Sequence, residues 1–281
     1  MARRSRLRHP LAAWGFDEEQ FYDAKAAYYD NVLRTQNNVL ENLTIYISTH
    51  QDFVQRPVEN NYVIVSNQDK VENYSGNDRI IYVEGGLINK RRAYNEFVQI
   101  YHVLKNEELN DYIGFCHYHR YFDLNHVSNL DDLFKDYDVI VHRPAYESIR
   151  CLWKRMAQND EYVETLLDII EEKYGTSREL LNEKIDEGSY YNNAMLILPK
   201  DRMKECFDWL FTILTEFDKK YDLTDDKTIQ DYLKKNITNR WYLYSKKLFG
   251  RFEGYFGEGL VGLWIKLNCN KSYEVDCISD C

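Results

Sequence analysis

Short apolar runs alternate along the chain with longer stretches whose apolar positions recur every three or four residues. Residues 43–48, 62–65, 79–83, 112–116, 139–142 and 194–198 are compact runs, rich in β-branched and aromatic side chains, that predict strands. Tyr94, Phe97, Val98, Tyr101 and Leu104 fall at helical spacing and predict a helix over 90–106. Met203, Phe207, Leu210, Phe211, Leu214 and Phe217 predict a strongly amphipathic helix over 200–221. Helices are also expected over 17–40, with Phe21, Ala24, Tyr28, Tyr29 and Val32 on one face, and over 147–187. The stretch 239–266 is aromatic and punctuated by glycine. Strands alternating with helices imply an α/β fold with a mostly parallel central sheet flanked by helices. Residues 41–268 read as a single domain, preceded by a partly helical extension (1–40) and followed by a polar tail (269–281).

Composition narrows the function. The chain has 281 residues, 44% hydrophobic and 29% charged, which suits a globular domain rather than a disordered one. Its 46 acidic against 36 basic residues give a net charge of −10, which argues against a nucleic-acid partner, since that would need a basic face. Longer apolar runs such as 260–265 fall well short of the ~18 residues of a membrane-spanning helix. The amino terminus lacks the apolar core of a secretory signal, so a cytoplasmic protein is expected. Arg3, Arg4, Arg6 and Arg8 beside Leu7, Leu11 and Trp14 suit weak contact with an anionic membrane surface. The six cysteines include no Cys-x-x-Cys pair, and Cys116 and Cys206 lie in apolar segments as core thiols. The 24 tyrosines carry rings with a polar handle, suited to sugar faces.

In α/β sheets the ligand crevice lies beyond the carboxyl ends of the strands. Thr49-His50, Lys90, His117 to Arg120 and Asn192-Asn193 fall at or close to such ends. Gly-x-Gly-x-x-Gly, P-loop and Gly-x-Ser-x-Gly signatures are absent, which removes support for dinucleotide, P-loop and serine-hydrolase chemistry. Read as an extended segment, His117-Tyr118-His119-Arg120 puts both imidazoles on one side, with Tyr118 and Arg120 on the other. Two such imidazoles can ligate a divalent metal or donate to a diphosphate, and Arg120 can grip phosphate. Asp136 and Asp138 precede their strand and so sit at the wrong edge, as a solvated turn. Asn192 and Asn193 offer amides to sugar hydroxyls. Arg251 and Glu258 come late in the chain, and Glu258 is the carboxylate best placed as a general base.

Together these segments resemble a bacterial polysaccharide-biosynthesis family known as domain of unknown function 4422. The likeness rests on Tyr46 to His50, on Lys90 with Tyr94-Asn95-Glu96, Tyr101 and Lys105-Asn106, and above all on Asp111 to Phe122. That last segment is similar to the family's His-Tyr-Arg-Arg-Tyr-Phe hallmark, with His119 in place of its first arginine. Asn193, Trp209-Leu210-Phe211 and Arg251-x-x-Gly254-Tyr255 with Glu258 extend it over about 43–265. The resemblance implies an A-type glycosyltransferase fold that moves a hexose or pentose from a nucleoside-diphosphate sugar to a growing glycan or glycolipid. It implies Thr49 and His50 at the base and ribose, Lys90, His117 and Arg120 about the diphosphate, and Tyr118 and Arg251 among the donor-binding residues. Asn192 and Asn193 would bind the donor as well, and Glu258 and His119 would be catalytic. A manganese or magnesium ion would be held by His117 and His119, or replaced by them together with Arg120. Two rivals remain at this level: a metal-dependent nucleotide-sugar hydrolase or nucleotidyltransferase built on the histidine pair, and a non-catalytic glycan-binding protein.

Overall fold

The computed structural model describes residues 40–49, 61–67, 80–157, 159–236 and 251–279. The expected helix over 17–40, the arginine-rich start and His50 lie outside these residues. Nine strands form one sheet: β1 (Leu43–Thr49), β2 (Tyr62–Ser66), β3 (Ile80–Tyr82), β4 (Tyr112–His117), β5 (Arg120–Phe122), β6 (Val139–His142), β7 (Leu196–Pro199), β8 (Ser272–Val275) and β9 (Cys277–Ser279). Their order is β3-β2-β1-β4-β7-β6-β8, with β5 and β9 extending from the end of β4. Strands β3, β2, β1 and β4 run parallel, as their near-continuous apolar sequences require of strands covered on both faces.

The expected mostly parallel sheet holds on that side and changes at β7. Strand β7 is antiparallel to both β4 and β6, through Ile113 against Leu198 and Ile140 against Ile197. Of the residues expected to form a polar tail at 269–281, 272–275 and 277–279 are instead part of the sheet. Strand β8 pairs with β6, and β9 pairs with β5. Asp138, a solvated turn in the sequence reading, anchors the start of β8 by accepting from the Asn270 and Lys271 amides.

Period-two alternation sends Tyr46, Val63, Phe115 and Leu198 to one face, and Ile45, Ile47, Ile64 and Ile197 to the other. The first face carries the thick helical layer. It comprises α1 (Arg91–Tyr94), α2 (Phe97–Asn106), α4 (Ile149–Ala157), α5 (Asp160–Tyr174), α6 (Arg178–Asp186), α7 (Lys200–Tyr221), α8 (Asp226–Asn236) and α9 (Phe252–Asn268). The second face is covered by the chain around α3 (Leu130–Asp136), through Leu124, Val127 and Leu130, and by Ile278 of β9. No helix among the described residues is long and apolar enough to cross a membrane.

Two departures from the predicted helices shape the site. The helix expected over 90–106 breaks at Asn95, whose φ of 54° lies in the left-handed region, so α1 and α2 are separate. Helix α9 is apolar almost all round because it is buried almost all round. It packs closely only because glycine occurs where neighbours press on it. A Cβ on Gly259 would stand 2.1 Å from Trp153 Nε1, and one on Gly257 would stand 2.6 Å from the Phe97 ring.

Candidate active site

A cleft of about 740 Å³ opens beyond the carboxyl ends of β1, β2 and β4. Ser48, Thr49, Asn67, Glu96, Gln99, His117 to Arg120, Asn192, Asn193, Arg251 and Glu258 are among its lining residues. Asn193 precedes its strand, so in a wholly parallel sheet it would lie at the far edge. The reversal of β7 brings it to the edge where β4 ends.

The segment His117 to Arg120 is a tight hairpin rather than an extended strand. His117 pairs with Arg120, and Tyr118 and His119 form the two-residue turn between β4 and β5. The two imidazoles nonetheless stay close, with ring centres 5.9 Å apart. His117 Nε2 lies 2.7 Å from the Asn193 carbonyl. A carbonyl only accepts, so this nitrogen carries the proton and donates. His142, at the end of β6, holds the Asn192 carbonyl the same way at 2.9 Å. Burial drives the His117 imidazole down to about 3 despite that hydrogen bond, and it lowers His142 as well. Both rings are therefore neutral, and His117 cannot be the cationic donor that the sequence allowed.

The two histidines clamp a strained turn. Asn193 and Ala194 have φ of 61° and 50°, a conformation that costs an alanine roughly 1–2 kcal/mol. Such strain persists where the surroundings over-determine it, commonly at functional sites. The Asn193 amide in turn donates to Glu258 Oε2 at 3.3 Å. Strands β4, β6 and β7 and helix α9 thus fix one another at the cleft floor.

Glu258 is half-buried, and loss of water raises its carboxyl to about 7, against the opposing pull of the Asn193 amide and Arg120. Glu96, placed by the break at Asn95, is buried beside it. Burial first and the Glu258 charge second raise Glu96 to about 8, while Arg251 and Arg120 oppose the shift. Asn95 Nδ2 donates to Glu96 Oε2. The other oxygen, Oε1, is buried without a hydrogen-bond partner, 4.0 Å from His117 Nε2. Gln99 donates to the Thr49 carbonyl at 2.7 Å and leaves its own Oε1 buried without a partner; Asn192 Oδ1 is also unmatched. Buried polar atoms are rarely left so in a finished protein, and three lining one cleft mark places for a ligand's polar groups.

Of the residues expected in the site, Thr49, His117, Tyr118, His119, Arg120, Asn192, Asn193, Arg251 and Glu258 do line the cleft. Lys90 does not. Its ammonium is buried in an ion pair with Asp218, which also accepts from Tyr94 Oη at 2.6 Å. The chain breaks at Asn95, between Lys90 in the helical layer and Glu96, which lines the cleft. His117 and His119 do not fit a metal site of their own. His117 Nε2 is committed to Asn193, and no group of three His, Cys, Asp or Glu capable of holding a metal occurs among the described residues. Sequence reasoning missed Gln99, His142, and Glu96 as a site residue. A polar residue ending β6 was the available signal for His142.

The fold and this placement of polar groups at one sheet edge define an A-type glycosyltransferase-like architecture. The chain belongs to the family described as domain of unknown function (DUF4422), which matches residues 44–244. Among solved structures it is similar to the WbbM bifunctional glycosyltransferase, with a TM-score of 0.56 at 17% identity. That alignment covers 84% of this chain and 45% of the other, so this chain corresponds to less than half of that protein. No curated protein matches.

Proposed function

We propose that this protein is a glycosyltransferase that moves a sugar from a nucleoside-diphosphate sugar to a hydroxyl of a growing glycan or glycolipid. One observation carries the reading: a half-buried carboxyl raised toward neutrality, Glu258, shares the cleft with the guanidinium groups of Arg120 and Arg251. A base works best when its pKa lies near the working pH, and departing phosphate charge must meet cations or donors. Glu258 takes the proton as the acceptor oxygen bonds to the anomeric carbon. The bond from that carbon to the diphosphate oxygen breaks, and its electron pair leaves with the nucleoside diphosphate. Arg120 and Arg251 meet the added charge, and Ser48, Thr49 and Asn67 receive the nucleoside. A divalent cation, where the reaction uses one, arrives on the donor's diphosphate, and none of these steps is assigned to it. Such an enzyme would work in the cytoplasm, where nucleotide sugars are made. Its arginine-rich start would rest on the membrane that carries a lipid-linked acceptor.

The test is a panel of nucleotide sugars read by thermal shift, followed by transfer assays on the donor that binds. A ligand present at 100 times its Kd should stabilise the fold by roughly 2.7 kcal/mol. Glu258→Gln should then lower turnover about 10²–10⁴-fold while donor affinity holds. No shift with any nucleotide or nucleotide sugar at millimolar concentration refutes the proposal.

A further inference from the structure

Glu96 is a buried carboxyl in the cleft that the transfer chemistry does not use. It is 5% exposed, and its Oε2 is satisfied by Asn95. Glu96 lines the cleft, and its Oε1 is buried with no hydrogen-bond partner. The groups around it are Glu258 and Tyr255 from α9, Arg251 at the N-cap of that helix, Arg120 from β5 and His117 from β4. Two carboxylates confined with little water cannot both ionise cheaply, so the pair holds a proton near neutrality. An ionised Glu96 would leave a charged oxygen buried with no donor, at a cost of several kcal/mol. A protonated Glu96 instead carries an O–H that needs an acceptor, and the cleft is where one can come from. His117 cannot serve, because its near nitrogen is itself a donor.

We propose that Glu96 is a sugar-binding residue: a neutral carboxylic acid whose O–H donates to a hydroxyl oxygen of the bound sugar. By keeping the shared proton, it leaves Glu258 as the member of the pair that accepts one. The role rests on the sugar-transfer reading. It deepens that reading by requiring a sugar with a hydroxyl, neither removed nor alkylated, at the position facing Glu96. The two carboxyls also explain how one cleft keeps both an acid and a base. Burial holds Glu96 at about 8 and Glu258 at about 7, so near neutrality one proton resides mainly on Glu96.

The experiment pairs a direct readout of the proton with a binding readout. In infrared difference spectra near neutral pH, wild type minus Glu96→Gln should show the carbonyl band of a protonated carboxyl, and that band should vanish at alkaline pH. Affinity for UDP- and GDP-sugars should fall above pH about 8 in the wild type, whereas affinity for UDP or GDP alone should not. Glu96→Gln keeps an N–H donor in place, so its sugar affinity should lose that alkaline fall, whatever its level at pH 7. Glu96→Ala should weaken the nucleotide sugar roughly tenfold relative to the bare nucleotide. No protonated-carboxyl band, or an alkaline fall that persists in Glu96→Gln, overturns the inference while nucleotide binding stands. Failure of every nucleotide and nucleotide sugar to bind wild type refutes the transfer reading, and with it the sugar contact. The infrared band still decides separately whether Glu96 holds the proton.

Discussion

Replacing Glu258 by glutamine should make the protein more stable near and above neutral pH, although it removes the proposed base. In the fold the Glu258 carboxyl sits at about 7, whereas an ordinary one sits at 4.5. A raised folded-state pKa means that the fold binds a proton the unfolded chain has released. The stability tied to that proton is complete below about pH 4.5 and is lost as pH rises through about 7. The gap is about 2.5 in pH, and at 1.36 kcal/mol each this sets an upper bound of about 3.4 kcal/mol once both states are ionised. Coupling to Glu96 and the pull of Arg120 make about 2 kcal/mol a sounder expectation near pH 8, or roughly 5 °C in Tm for a chain this long. Glutamine preserves the oxygen that accepts from the Asn193 amide, so the substitution removes the charge and little else. Urea unfolding of both proteins at about pH 3.5 and about pH 8 measures the effect, with the difference near zero at the first and fully developed at the second. A variant no more stable than wild type at the higher pH, or a gain equal at both, refutes the reasoning.

Acidification should also destabilise the fold through His117. Its folded-state pKa of about 3 lies below the ordinary 6.5, so the unfolded chain takes up a proton that the fold refuses, and stability should fall from about pH 6.5 toward 3. Glutamine at 117 can still donate to the Asn193 carbonyl without titrating, and denaturation curves across that range should be visibly flatter. Gly259→Ala forces a Cβ to within 2.1 Å of Trp153 and should cost about 1–3 kcal/mol or more, whereas Gly188→Ala, with open space around it, should stay within about 0.5 kcal/mol; urea midpoints distinguish them. Lys90→Met strands the buried Asp218 carboxylate and should cost about 3–5 kcal/mol of stability, while donor affinity measured by calorimetry in the surviving folded protein stays unchanged.

The chain announces its strands through their apolar content, and helix 200–221 through its period, because burial acts on each residue where it stands. It does not announce direction. Whether β7 runs with or against β4 depends on where the chain returns after three helices, and that reversal decides which edge Asn193 occupies. The three-residue strands β5 and β9 have too few positions for a period to register, so 269–281 reads as a tail. Lys90 and Glu96 show the same limit within a single helical pattern. A continuous helix over 90–106 sets them about 120° apart without saying which faces the cleft; in the fold the chain breaks at Asn95, the lysine pairs with Asp218 in the helical layer and the glutamate lines the cleft. The cleft residues legible in advance were those adjoining strand ends, where chain position alone implies spatial position. Glu96 and Gln99 became legible only through the packing of α2.

The pairing of β8 with β6 and of β9 with β5 also sets a timetable for synthesis. The strand carrying Arg120 and the strand ending in His142 both gain their last neighbours from residues 272–279. At 5–20 residues per second, a ribosome needs roughly 8 to 30 s after completing β5 to deliver those residues. Until then the nascent protein exposes unpaired strand edges beside its half-built cleft. Helix α9, bearing Glu258 and capped by Arg251, also emerges late, so acid, base and cation are first brought together only when translation reaches this segment.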